Sequence, residues 1–189
     1  MHPRREWWRT HEWYGKFNPN HDARGRFDVG NSGHAAEVTQ PTFNTVMVHQ
    51  PHGATERRSG GSRSWRNNNS GNIRYGNFAV AQGAIGEAGG FAVFPNQEAG
   101  QAAQEALLRS PAYAHLSVND AIAKRSPPSE NNTQSLKNTI KRLSGLNGDE
   151  RIGSLTSDQM RHFTAAIQRT EGWREGTITY GSEPPKHSR

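Results

Sequence analysis

One carboxylate and one run of amides stand out in this chain as groups able to do chemistry. Glu171 sits near the close of "FTAAIQRTEGWREG", residues 163–176, just after an apolar stripe of Met160, Phe163, Ile167 and Thr170. That spacing predicts an amphipathic helix beginning at Thr156 or Ser157, with the stripe facing the core. Glu171 falls on or beside the same face. A carboxyl there loses hydration, which raises its pKa, and the negative end of the helix dipole acts in the same direction. A general acid at neutral pH needs that state. The alternative is a carboxylate satisfied by a nearby arginine such as Arg74 or Arg169.

The amides lie in "RNNNSGNIRYG", residues 66–76. Asn68, Asn69 and Asn72, followed by Arg74 and Tyr75, offer the donors, acceptors and ring face that line a sugar groove. Asparagine also tolerates left-handed backbone, so a structured turn explains the run equally well. Trp173 either stacks on a sugar ring or packs in the core. For a second carboxylate the choices are Glu130 in "SPPSENNT", which also suits a helix cap, Glu87 and Glu175. His49 and His52 form an HxxH without a third ligand, so no metal site is implied. "GAIGEAGG" lacks the Lys-Ser/Thr of a phosphate loop. With no cysteine, thiolate chemistry and disulfides are excluded. No cofactor is implied.

The elements that must position these groups come from residues 63–176. There, "IRYGNFAVAQGAIGEAGGFAVFPN" predicts an irregular β-hairpin with strands at Phe78–Val80 and Phe91–Phe94. Asn96 caps a helix whose face is Ala99, Ala102, Ala103, Ala106 and Leu107. Ser117 with Asp120 opens a short helix, and Thr133 opens another that carries Leu136, Ile140 and Leu143 and stops at Gly145. The fold class expected is α+β and mostly helical, with a small β-hairpin. Residues 1–62 read as an irregular aromatic and basic arm and linker, and residues 177–189 as a flexible tail. Only 31% of the 189 residues are apolar and the mean hydropathy is −0.95, too polar for the whole length to share one core. No membrane span and no cleavable secretion signal are evident. The net charge of +6 suits a polyanionic partner, which includes nucleic acid, anionic lipid and the acidic bacterial wall; the aromatics interleaved with arginine in the arm suit a docking arm or interdomain linker, or a grip on nucleic acid or glycan.

Taken in order, "RNNNSGNIRYG", "GGFAVFPNQEAGQAAQEALL", "KRSPPSENNT" and "AAIQRTEGW" resemble a family of virion-associated peptidoglycan-degrading proteins of phages. The family pattern runs NNPGNIR, a Phe-x-x-Phe with an E-x-G helix, APPxENDT, and a closing helix with His-Glu-Gly. The same module is similar to the lysozyme domain attached to some type VI secretion effectors, including those that pair an amidase with a lysozyme. The likeness spans residues 62–176; Ser70 stands where the family has Pro, and Thr170 where it often has His. Glycan-cleaving enzymes of the lysozyme superfamily place their acid in an "ETGWG"-like helix end ahead of an Asn-rich stretch. Here the same pieces occur with the glutamate helix last, which implies a lysozyme-like domain in circularly permuted order, with "EGW" beside "NNNSGNIR".

The resemblance implies cleavage of the β-1,4 bond between N-acetylmuramic acid and N-acetylglucosamine. Glu171 would be the acid, Glu130 or Glu87 its second carboxylate, and Asn68, Asn69, Asn72, Arg74, Tyr75 and Trp173 the sugar contacts. A lytic transglycosylase with a single glutamate, or a non-catalytic module binding peptidoglycan or nucleic acid, are the competing expectations. It further implies a secreted antibacterial effector acting in the periplasm of a target bacterium. Bacterial peptidoglycan, an immunity protein, the secretion apparatus and the other domains of a larger parent protein would be its partners.

Overall fold

A computed structural model describes residues 36–50, 53–128 and 132–182; His52 and Glu130 lie outside them. Alternation in "TVMVH" makes the first element of the core. In strand β2 (Thr45–His49), Val46 and Val48 are buried while Met47 between them is only half-buried, the two-residue period of a strand with one covered face. β2 pairs antiparallel with β1 (Glu37–Thr42) across the tight Phe43–Asn44 turn, and with β3 (Ala54–Ser59). β6 (Thr177–Ser182) completes the sheet on the far side of β3, giving the order β1-β2-β3-β6. This corrects two expectations. The described part of the stretch assigned to an irregular arm carries three strands, and the first six residues of the supposed tail are a fourth, so the compact unit begins at Ala36.

The short helix α1 (Arg63–Arg66) is tied to that sheet by Arg66, a buried side chain only 3% exposed. Its Nη1 donates to the carbonyls of Gly60 and Gly61, both at 2.8 Å, and its Nη2 to that of Phe43 at 3.3 Å. Burial, and then the neighbouring Arg63, lowers its pKa.

The expected hairpin is shifted. Asn77–Ala81 forms helix α2, not a strand, and the hairpin is β4 (Gly86–Ala88) with β5 (Phe91–Val93). A four-residue apolar run carries no period that separates a buried strand from one helical turn. Val93 and Ala88 pack with Val46 and Val48; on the other side Ala92 and Phe94 pack with Ile73, Ala79 and Ala103.

Helix α3 (Gln97–Arg109) is capped by Asn96 as expected. Its buried face is Gly100, Ala103, Gln104 and Leu108, whereas Ala102 is exposed. A methyl at Gly100 would lie 1.7 Å from the Asn68 carbonyl oxygen, so the glycine of the E-x-G pattern lets helix and Asn-rich loop touch backbone to backbone.

Ser117 caps α4 (Val118–Arg125), while α5 (Thr133–Ser144) is capped by Asn132 and not Thr133. The Thr133 hydroxyl instead donates to the Ser126 carbonyl. Gly145 ends α5 at φ 74°. A capping box of Thr156 and Gln159 opens α6 (Ser157–Thr170). Leu108, Ile122, Ile140, Ile152, Met160, Phe163 and Ile167 form the helical core. The described residues make an α+β domain, and no helix among them is long and apolar enough to cross a membrane.

The start of α4 is held by the loop after α5. Val118 N–H donates to the Glu150 carbonyl and Asn119 N–H to that of Gly148, each at 2.9 Å. Glu150 folds its carboxylate back on the amides of Asn147 and Gly148, at 2.8 and 2.7 Å. Burial pushes its pKa up, but the amides of Asn147, Glu150, Gly148 and Asp149 together outweigh that, and the net shift is downward. A carboxyl depressed in the folded state stabilises it above the unfolded pKa, and that contribution is lost as pH falls through the folded value. Glu150→Gln is therefore expected to lower the melting temperature at pH 7, and the gap from wild type is expected to narrow progressively as pH falls below the ordinary carboxylate range. A gap that stays constant as pH falls would show that the loop does not depend on this charge.

Candidate active site

The helix end that carries Glu171 is built by its own hydrogen bonds. Gly172 has φ 71°, its N–H donates to Arg169, and the Trp173 N–H reaches back to Gln168 at 3.3 Å. This paired closure with a left-handed glycine is the Schellman motif. It makes Glu171 the last residue before the chain reverses. Beyond it, Ser62 N–H donates to the Arg174 carbonyl at 2.8 Å, and Arg174 N–H to the Ser62 hydroxyl at 3.1 Å. The glutamate turn is thereby clasped to the start of α1, and "EGW" lies against the Asn-rich loop.

The Asn72 side chain completes that junction. Asn72 holds φ 45°, a left-handed conformation asparagine tolerates better than most residues. Its Nδ2 donates to Glu171 Oε2 at 2.5 Å. On the other carboxylate oxygen, Arg125 Nη2 lies 3.5 Å away and also donates to the Gly71 carbonyl at 2.9 Å. The expected ion pair thus exists, with Arg125 in place of Arg74 or Arg169. The Glu171 side chain remains 29% exposed, on the wall of a cleft of about 460 Å³. Arg125 and Ser126 at the end of α4, Asn132, Ser135, Leu136 and Thr139 along α5, and Thr170 beside Glu171 line it. Glu171 is the only carboxylate among the described residues that line it. The described lining therefore offers one acid, one guanidinium, several hydroxyls and an amide beside the apolar side chains of Ile122, Leu136, Ile140 and Ile167.

Other sequence-predicted residues fall in different places. Asn68 and Asn69 are buried, at 8% and 0% exposure. Asn68 Nδ2 donates to Phe94 O at 3.2 Å; Asn69 Nδ2 donates to Ile73 O and Ala92 O, and its Oδ1 accepts from Ile73 N–H. Their amides are spent bracing the loop against the hairpin, which removes them from the sugar-contact set. Asn67 does the same toward Ala88 and Phe91. Ser70, where the family has Pro, donates to the buried Gln104 Oε1 at 2.8 Å, a bond proline could not make. Thr170 donates to the Ile167 carbonyl. Arg74 and Tyr75 are exposed and Trp173 is half-buried. Glu87 is exposed on β4 and does not line the cleft, and Glu175 is also exposed. His49 is held between the hydroxyls of Thr39 and Thr55.

The chain matches no known family model and no curated protein. The geometry of this site accordingly carries the functional reading.

Sequence reasoning missed Arg125 and the α5 wall. Asn132, Ser135 and Thr139 recur at helical spacing along the edge of the apolar stripe of α5, which was the signal available. Arg125 reads in sequence as a charge compensating a helix C-terminus.

Proposed function

We propose that this domain cleaves the glycan strands of peptidoglycan at the β-1,4 bond between N-acetylmuramic acid and N-acetylglucosamine, with Glu171 as the proton donor. One observation carries the reading: a partly exposed carboxylate, oriented by Asn72, projects from a helix end into a cleft lined by both polar and apolar side chains. Glu171 would deliver its proton to the glycosidic oxygen as the bond to the muramic C1 breaks. Asn72 fixes which oxygen faces the substrate, and Arg125 positions the carboxylate through its second oxygen. A water held by the Ser135 and Thr139 hydroxyls would then attack the C1 cation and give its proton to the Glu171 carboxylate, which restores the acid, as in a muramidase. The order of the four motifs supports a lysozyme-like architecture with its acid helix placed last. It also supports an antibacterial effector delivered to the periplasm of a competing bacterium, with an immunity protein as partner.

A second outcome, intramolecular attack by the muramic C6 hydroxyl as in a lytic transglycosylase, needs no carboxylate beyond Glu171, the one acid among the described residues that line the cleft. Mass spectra of muropeptides released from purified sacculi separate the two. Reducing ends are expected; 1,6-anhydro ends would assign the transglycosylase reaction, and no release would leave a binding module.

A further inference from the structure

Phe91 carries two guanidinium groups. Arg63 Cζ lies 3.6 Å and Arg74 Cζ 4.6 Å from its ring centroid. Stacking on a ring face is favourable for each cation, but two like charges on one ring repel. The Arg63 pKa is lowered by burial first, raised by Glu171, and lowered again by Arg74. Arg58, Arg66 and Arg125 each have oxygen acceptors. Arg63 and Arg74 have none among the described residues, either as hydrogen bonds or as ion pairs within 4.0 Å, and both side chains are exposed. Two donor forks are thus held in place by an aromatic ring with their hydrogen-bonding edges unused by any described residue. They sit where Arg63 feels the charge of Glu171 and lines a second depression of about 400 Å³ with Gln40, Thr42 and Phe43.

The geometry points to an anion site at Arg63 and Arg74 that takes a carboxylate of the peptide stem of peptidoglycan. The matching of planar guanidinium to carboxylate is bidentate. The inference rests on the proposed glycan cleavage, because the stem is the anionic group that hangs from the muramic residue beside the scissile bond. It adds that the enzyme distinguishes peptide-bearing glycan from bare glycan.

Binding tests this independently of cleavage. Glu171→Gln protein, which should not digest its target, is sedimented with sacculi free of teichoic acid, either intact or with the carboxylates of their peptide stems converted to neutral amides. Binding to intact sacculi is expected to be roughly tenfold tighter. Arg63→Gln with Arg74→Gln should abolish that ratio, and Arg63→Gln alone should reduce it. A loss of folding or of glycan contacts would weaken both substrates equally and leave the ratio intact. Equal binding to both sacculi, or a ratio that survives the double substitution, overturns the inference. Failure of the wild type to release muropeptides would instead count against the cleavage reading, with the binding ratio still deciding this one.

Discussion

Glu171→Gln is expected to lower the rate of peptidoglycan solubilisation by roughly 10³-fold, within the range a general acid contributes, with little change in melting temperature. The two halves of that result test different things. Glutamine keeps the size of the side chain and an oxygen that can still accept from Asn72 Nδ2. What it loses is the transferable proton and the charge facing Arg125. That pair is 3.5 Å long with the carboxylate 29% exposed, a geometry in which an ion pair is worth about 1 kcal/mol or less. A purely structural glutamate would give the reverse pattern, a lowered melting point with clearing activity in proportion to folded protein. Turbidity loss of sacculi and thermal melting on the same preparations distinguish these outcomes. Undiminished clearing by the variant would remove Glu171 from the chemistry.

The second large effect concerns stability and depends on a missing side chain. Alanine favours a helix interior over glycine by about 1 kcal/mol, so Gly100→Ala in α3 would be stabilising if helix propensity decided the matter. It does not decide it, because the new methyl would meet the Asn68 carbonyl oxygen at 1.7 Å. Relief requires α3 or the Asn loop to move by more than an ångström. The loop is pinned by the buried amides of Asn67, Asn68 and Asn69. Overpacking of this kind typically costs about 1–3 kcal/mol, and with backbone on the far side the upper part of that range applies. At roughly 3 kcal/mol the melting point would fall by about 10 °C, and Asn72 would shift with its loop. Calorimetry of Gly100→Ala checks this. An unchanged or raised melting point would mean the contact yields easily.

Much of the helical half was legible because its signals are local. The Met160, Phe163 and Ile167 stripe, the Thr156 and Asn96 caps and the Gly145 stop each act within a few residues, and each occurs where the spacing predicts. The sheet was hidden for the opposite reason. β3 finds β6 across more than a hundred residues, from Ser59↔Thr177 to Ala54↔Ser182, and "ATERRS" has almost nothing apolar to announce it. Only Val46 and Val48 mark the buried face, too few for a composition-based reading. At the site, the motif order placed Glu171 beside Asn72, which a local pattern could not do. The same amide chemistry that suggested sugar contacts at Asn68 and Asn69 serves inward-facing brackets just as well. Residue type alone carries no sign of which way an amide points.

The clasp between Ser62 and Arg174 has a consequence for how such a domain travels between proteins. Immediately outside the clasp β3 and β6 run side by side, from Ser59↔Thr177 to Ala54↔Ser182, so the chain enters and leaves the segment bearing the site through one sheet. A segment whose ends neighbour each other can be carried on a different pair of strands without stretching its own framework. The clasp and the β3–β6 pairing together hold the turn of Glu171 against the loop of Asn72.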